Sequence, residues 1–290
     1  MRLDTDNNEG VANVTEQIGR VAFVGAGAMA EAMIAGLLRR AVVTSAQVTA
    51  SHPRPARRAE LTERYGITTY RDNGDVIVGA DLIVLTVKPQ IVRGVLTELR
   101  DAITVEQVVL SIAAGMPLSA LVNGLGEHGA VARAMPNTPA QIGAGVTVWT
   151  TTDAVTEEQR LTISSALGAL GDAHYVADER LVDMATALSG TGPTYVFLVM
   201  EALIDAGVHL GFSRHLAEQL VMGTMAGSVA FAAQSHKHPA ELRNLVTSPG
   251  GTSAEAIYQM EKGGLRTVLS KAVYAAYQRT VTLRQAQERE

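Results

Sequence analysis

Val21-Ala22-Phe23-Val24-Gly25-Ala26-Gly27-Ala28-Met29-Ala30, running on into Glu31 and Arg39, is the stretch that decides the fold. A short apolar run passes through G-x-G-x-x-A into a helical pattern, which is the context a dinucleotide fingerprint requires. Gly25 permits the tight turn, Gly27 lets a pyrophosphate approach the backbone, and Ala30 permits close helix–strand packing. Cofactor contacts in this turn are expected at Gly25, Gly27, Ala28 and Met29. The plainer alternative is a strand-to-helix turn that needs glycine for packing alone.

Working outward, short β-branched runs alternate with helical patterns up to about residue 177. Strands are expected at 20–24, 47–51, 81–86, 107–112, 130–134, 146–150 and 172–176, with helical segments at 29–39, 54–65, 91–100 and 155–170. Such alternation implies a parallel sheet covered by helices on both faces. The expected fold is therefore α/β, a Rossmann-type doubly wound sheet. Beyond residue 177 the pattern is helical. Residues 194–210 and 216–233 are apolar around much of their circumference, and a further long helix carries Leu265, Val268, Leu269, Ala272, Val273, Ala276 and Thr280 at 3- and 4-residue spacing. About 110 residues supply little cover for helices apolar on most faces, so this second domain is expected to dimerise. The expected division is a flexible polar tail over 1–18, a dinucleotide-binding domain over 19–177, and an all-helical dimerisation and substrate domain over 178–290.

The second strand ends at Ala50-Ser51-His52, where an NAD enzyme usually places an acid for the ribose 2′-hydroxyl. Ser51, His52, Arg54, Arg57 and Arg58 stand there instead, and hydroxyl and guanidinium groups suit a 2′-phosphate. NADPH is thus the expected cofactor, with NADH as the lesser one. Val87-Lys88-Pro89 and Ala113-Ala114-Gly115 follow later strands, on the edge where ligands of open α/β sheets bind. Small residues there leave room for ribose and nicotinamide.

Bulk properties narrow the class. Net charge is −5, hydrophobic content is 47% and charged content is 18%, which fits a globular protein and argues against a general nucleic-acid binder. No cysteine is present, so disulfide, thiol catalysis and cysteine-held metal are excluded. Charged and glycine residues interrupt every apolar run, and the polar N-terminus lacks a leader pattern. A cytoplasmic protein with no membrane partner is expected.

Far from the fingerprint, Val246-Thr247-Ser248-Pro249-Gly250-Gly251-Thr252-Ser253 reads as an anion site. Two glycines let consecutive N–H groups turn toward one point. Thr252-Ser253-Ala254-Glu255 has capping-box spacing, so a helix is expected to open with Thr252 as its cap. The plainer reading is a capped helix start after a turn.

With these motifs in view, the chain resembles the pyrroline-5-carboxylate reductase family. The resemblance spans about residues 20–284 and rests on GAGAMAEAMIAGL at 25–37, TVKPQ at 86–90, SIAAG at 111–115, RAMPNTPAQIGAG at 133–145, ALSGTGPTYVF at 187–197 and LVTSPGGTSAEAI at 245–257. It implies hydride transfer from NAD(P)H to the C=N carbon of Δ1-pyrroline-5-carboxylate, giving proline. It also implies a homodimer, with rings of five dimers common in the family. The carboxylate clamp is expected from the N–H groups of Gly250, Gly251 and Thr252 with the Ser248 hydroxyl, and the Ser253 hydroxyl is expected at the ring nitrogen. Thr191 and Thr194 depart from the commoner S-G-S-G-P-A-Y, and Ser253 replaces the usual threonine. For the glycine loop at 189–194, pocket shaping and helix packing remain open alternatives. A β-hydroxyacid dehydrogenase would carry a catalytic lysine soon after such a loop, yet none follows until Lys237. A non-catalytic NADP(H) sensor is the remaining alternative. It would have no need of the SPGG turn.

Overall fold

The computed structural model describes residues 18–289. These divide into two compact units, one of residues up to 182 together with 283–289, the other of residues 183–282. The division falls seven residues after the last strand ends at Tyr175. Of the expected tail, 1–17 lies outside the described residues. Ile18 does not belong to a tail: it is buried, and its N–H donates to the Val42 carbonyl at 3.2 Å.

The first unit carries an eight-stranded sheet ordered β3-β2-β1-β4-β5-β6-β7-β8. The strands are β1 (Val21–Val24), β2 (Val48–Ser51), β3 (Thr68–Tyr70), β4 (Leu82–Leu85), β5 (Val108–Ser111), β6 (Val131–Met135), β7 (Gly145–Thr151) and β8 (Gly171–Tyr175). The first six strands in chain order follow the doubly wound 3-2-1-4-5-6 order. Helices α1 (Ala28–Arg39), α2 (Pro55–Tyr65), α3 (Asn73–Val76), α4 (Val92–Leu99), α5 (Leu118–Gly124) and α6 (Glu157–Gly168) connect them. Strand β1 is buried along its whole length because it is covered on both faces. Val21 and Phe23 enter one core with Ile34, Leu37, Val84 and Leu167. Ala22 and Val24 enter the other with Ile83, Leu96, Leu99 and Val131. The period-2 alternation of a strand thus feeds two cores from one run, each large side chain contributing about 1.5–3 kcal/mol.

Two features differ from the sequence expectation. Strand β3 was not anticipated, and β7 pairs antiparallel with β6. The link from Met135 to Gly145 is shorter than the dozen or so residues a parallel crossover needs. Arg133, on β6, is 2% exposed and bonds Glu179 at 2.9 Å, while Glu179 also accepts the Leu118 N–H.

The second unit is helical. Helix α7 (Arg180–Ala185) leads through a single π turn (Thr186–Gly190) into α8 (Gly192–His209), followed by α9 (Arg214–Ser235), α10 (Pro239–Leu245), α11 (Thr252–Lys262) and α12 (Leu265–Arg289). The glycine segment expected as a loop at 189–194 is therefore helical. Thr191 donates to the Thr186 carbonyl through both its N–H (2.9 Å) and its hydroxyl (2.8 Å), and Tyr195 donates to the Ala187 carbonyl at 2.9 Å. Those bonds satisfy carbonyls that the wide turn frees from the ordinary ladder. Helices α8 and α9 form an antiparallel pair in which Gly207 meets Ala217 and Arg214 bonds Asp205 at 2.9 Å. No residue of α8 is buried, and Phe197, Leu198, Val229 and Phe231 are all more than half exposed.

Within residues 180–209 and 214–235, 18-residue stretches reach mean hydropathies of 1.3 and 1.2, long and apolar enough by length and composition alone to cross a membrane. Glu201 and Asp205 interrupt the first of them without breaking its helix.

Candidate functional site

In the first unit a cleft of about 960 Å³ opens along the C-terminal edge of the sheet. It is lined by Gly25, Gly27, Ser51, His52, Val87 and Lys88 from the expected set, joined by Arg71, Asp72, Asn73, Thr86, Gln90 and Glu98. Ala28, Met29, Arg54, Pro89, Ala113 and Ala114 are not among its lining residues.

The two fingerprint glycines do different jobs. Gly25 has φ +91°, and a Cβ there would sit 2.3 Å from Val87 Cγ1, so both backbone and packing demand glycine. Gly27 has ordinary φ and nothing within 4 Å of a built Cβ. Its side of the cleft is open space that a side chain would occupy, as a pyrophosphate cradle needs. The Gly25, Ala26 and Gly27 N–H groups are already bonded, to Ser51 Oγ (3.2 Å), the Ser51 carbonyl (2.8 Å) and the Gly25 carbonyl (2.7 Å). The N–H groups of Ala28 and Met29 open α1 with no cap, which leaves them for an anion. Thr86 steadies the loop by donating to the Gly25 carbonyl at 2.7 Å. These residues fit a dinucleotide.

The basic cluster after β2 is less available than its sequence suggests. Ser51 is fully buried, and its hydroxyl donates to Asn73 Oδ1 at 2.7 Å while accepting the Gly25 N–H. Arg57 is engaged with Glu31, Glu60 and the Ala26 carbonyl. Arg58 donates to the His52 and Pro53 carbonyls. Burial opposes ionisation of Glu31, but bonds from Arg57 and Tyr65 hold its carboxyl below the usual range. Internal bonds thus occupy the Ser51 hydroxyl and the Arg57 guanidinium, and hold Arg58 through Nη1. Burial, reinforced by Arg54 and Arg57, pushes the His52 imidazole down, and its Nδ1 accepts the Arg54 N–H at 3.1 Å. The guanidinium of Arg54 has no hydrogen bond or ion pair among the described residues. Arg71 and Asn73 escaped sequence reading because β3, which carries the chain to them, is three residues long, and Glu98 because it comes from a later helix, α4.

In the second unit, Gly250 has φ +70° with open space around a built Cβ, and Gly251 lies in contact with Ser248. Gly251, not Thr252, is the N-cap of α11, and no side chain caps the helix. The Gly251 N–H donates to the Ser248 carbonyl at 3.0 Å, so the turn closes one residue early and the capping box does not form. It follows that the Gly251 N–H is not free for a clamp. Gly250 and Thr252 N–H groups and the hydroxyls of Ser248, Thr252 and Ser253 have no partner among the described residues. The Ser253 side chain is half-buried, and that of Ser248 is exposed.

Comparison with known proteins bears on both units. Residues 179–283 match the family described as pyrroline-5-carboxylate reductase dimerisation, and residues 20–115 match NADP oxidoreductase, coenzyme F420-dependent. A pyrroline-5-carboxylate reductase from Pisum sativum is 41% identical, covering 89% of this chain and 93% of the relative. The chain belongs to the pyrroline-5-carboxylate reductase family. A member from Pseudomonas aeruginosa is 40% identical over 91% of this chain and 96% of its own length. Among solved structures, the Coxiella burnetii reductase superposes with a TM-score of 0.84 at 34% identity, covering 91% of this chain and 98% of that one. The Plasmodium falciparum reductase, solved with NADP bound, gives 0.85 at 28% identity, covering 92% and 99%. The uncovered apolar faces of α8 and α9 fall inside the segment matched by the dimerisation family, which gives them a role other than crossing a bilayer.

Proposed function

We propose that this chain reduces Δ1-pyrroline-5-carboxylate to L-proline with NADPH, the closing step of proline biosynthesis, with NADH as a poorer donor. The observation that carries the reading is full-length similarity to pyrroline-5-carboxylate reductases, at 41% identity over 93% of the pea enzyme. Bound NADPH supplies a hydride from nicotinamide C4 to the C=N carbon. The chain holds the cofactor's pyrophosphate at the Ala28 and Met29 N–H groups beside open Gly27. Val87 and Lys88 line the cleft on the way to the nicotinamide, and the Pro89, Ala113 and Ala114 positions follow the strand ends beyond it. Ser248, Thr252 and the Gly250 and Thr252 N–H groups clamp the substrate carboxylate. The Ser253 hydroxyl accepts a hydrogen bond from the protonated ring nitrogen. A substrate that arrives as iminium needs no dedicated acid, so the protein's work is positioning, worth about 7–11 kcal/mol when the reacting atoms are held in contact.

The working assembly is a homodimer built on the helical unit, with a ring of five dimers as its larger form, in the cytoplasm. The test is steady-state reduction by wild type and Ser253→Ala. Losing one bond to a charged group lowers kcat/KM by about ten- to a hundredfold. Full kcat/KM in Ser253→Ala removes the hydroxyl from the mechanism. No proline from the wild type removes the function.

A further inference from the structure

We propose that Arg71, at the end of β3, is the residue that reads the 2′-phosphate of the cofactor, ahead of the arginines in the β2–α2 turn. The inference rests on the NADPH reading above. Of the basic residues near the end of β2, Arg57 is paired with Glu31 and Glu60, Arg58 is tied through Nη1 to the His52 and Pro53 carbonyls, and neither lines the cleft. Arg54 is free but does not line the cleft, whereas Arg71 does. The Arg71 guanidinium has no hydrogen bond or ion pair among the described residues, and the side chain is exposed.

Register places it. Ser51 of β2 lies opposite Tyr70 of β3, and the His52 N–H donates to the Tyr70 carbonyl at 3.1 Å. Arg71 therefore stands beside His52, one strand spacing of about 4.8 Å away. That is the point past which an adenine ribose runs in a doubly wound sheet. Ser51 supplies no carboxylate to a 2′-hydroxyl there, and its own hydroxyl is spent on Asn73. A planar guanidinium on a residue that lines the cleft at that position matches the oxygens of a phosphate monoester. Asp72 lines the same wall, and Glu98 accepts Asn73 Nδ2 at 2.6 Å. The Asp72 carboxylate is the group that would instead take a bare ribose hydroxyl, so the wall holds opposing preferences and Arg71 tips it toward phosphate.

Calorimetric titration of the full chain with 2′,5′-ADP and with 5′-AMP tests this without turnover. Wild type should bind 2′,5′-ADP more tightly. Arg71→Ala should weaken 2′,5′-ADP by about ten- to a hundredfold and leave 5′-AMP unchanged. Arg71→Lys should fall between, and Arg54→Ala should lose less than Arg71→Ala. Far-UV circular dichroism checks that each variant is folded. In a wild type that discriminates, undiminished 2′,5′-ADP affinity in Arg71→Ala overturns the assignment, and a larger loss in Arg54→Ala moves it to the β2–α2 turn. Wild-type protein that binds both nucleotides alike overturns the NADPH reading and this one with it.

Discussion

Replacing each fingerprint glycine by alanine separates a fold requirement from a binding requirement. At Gly25 the added Cβ meets Val87 Cγ1 at 2.3 Å and its Cα at 3.2 Å, on a backbone at φ +91°. Forcing an L-residue into that region costs roughly 1–2 kcal/mol, and overpacking adds roughly 1–3 kcal/mol. Gly25→Ala should therefore lose about 2–5 kcal/mol, lowering Tm by about 5–15 °C in a unit of this size. At Gly27 the added Cβ meets nothing within 4 Å, and φ is −82°. The fold cost is then the difference between glycine and alanine at an N-cap, at most about 1 kcal/mol. The same methyl enters the space beside the Ala28 and Met29 N–H groups. Displacing a pyrophosphate from one or two such charge-assisted bonds costs about 1.5–3 kcal/mol each, a loss of tenfold to several hundredfold or more in affinity. Thermal melts and NADPH titration by nicotinamide fluorescence measure both quantities. Wild-type NADPH affinity in Gly27→Ala, or a Tm loss matching that of Gly25→Ala, would refute the division of labour.

Gly251→Val should displace the Ser248 hydroxyl, since a built Cβ lies 2.5 Å from it. KM for the imine should rise by about tenfold or more while NADPH affinity holds, and an equal loss of both would point to general misfolding. Burial pushes the His128 imidazole down, so the neutral form is favoured in the folded state. Its stability contribution is intact above the unfolded value of about 6.5 and is lost as pH falls through the lower folded value. Urea melts of His128→Gln should show a shallower acid loss than wild type, and parallel curves would remove His128 as the cause. Phe231→Glu changes a side chain that is 55% exposed in the single chain. With the homodimer proposed above, light scattering should show dissociation; unchanged mass with stability within about 0.5 kcal/mol would take α9 out of the interface.

The parts of the fold legible in the sequence were those where local pattern and burial agree. Strands β1 and β4 are continuous apolar runs, and β5 nearly so, because both their faces are covered, and the glycine turn after β1 announces the helix that follows. Strand β3 was invisible: Thr68-Thr69-Tyr70 is short, and Thr68 is exposed at the sheet edge. The reversal of β7 depends on the length of a connection rather than on the strand's own residues. At the π turn, glycines that suggest a loop are held helical by the Thr186 carbonyl accepting twice from Thr191. The basic cluster after β2 misled for a related reason. Side-chain type was readable, but Glu31 sits on another element, and only the fold shows that it claims Arg57. In the SPGG turn the motif was legible, whereas the Gly251 N–H bond that moves the cap by one residue was not.

Transfer of deuterium tests the central claim most directly. The protein is incubated with Δ1-pyrroline-5-carboxylate and NADPH deuterated at C4 of the nicotinamide, and the proline formed is read by mass spectrometry and NMR. With the deuterated face of the nicotinamide matched to the enzyme, a single deuterium should appear at the ring carbon that was double-bonded to nitrogen. Absence of proline, or proline carrying no label with either face deuterated, would contradict direct hydride transfer by this chain.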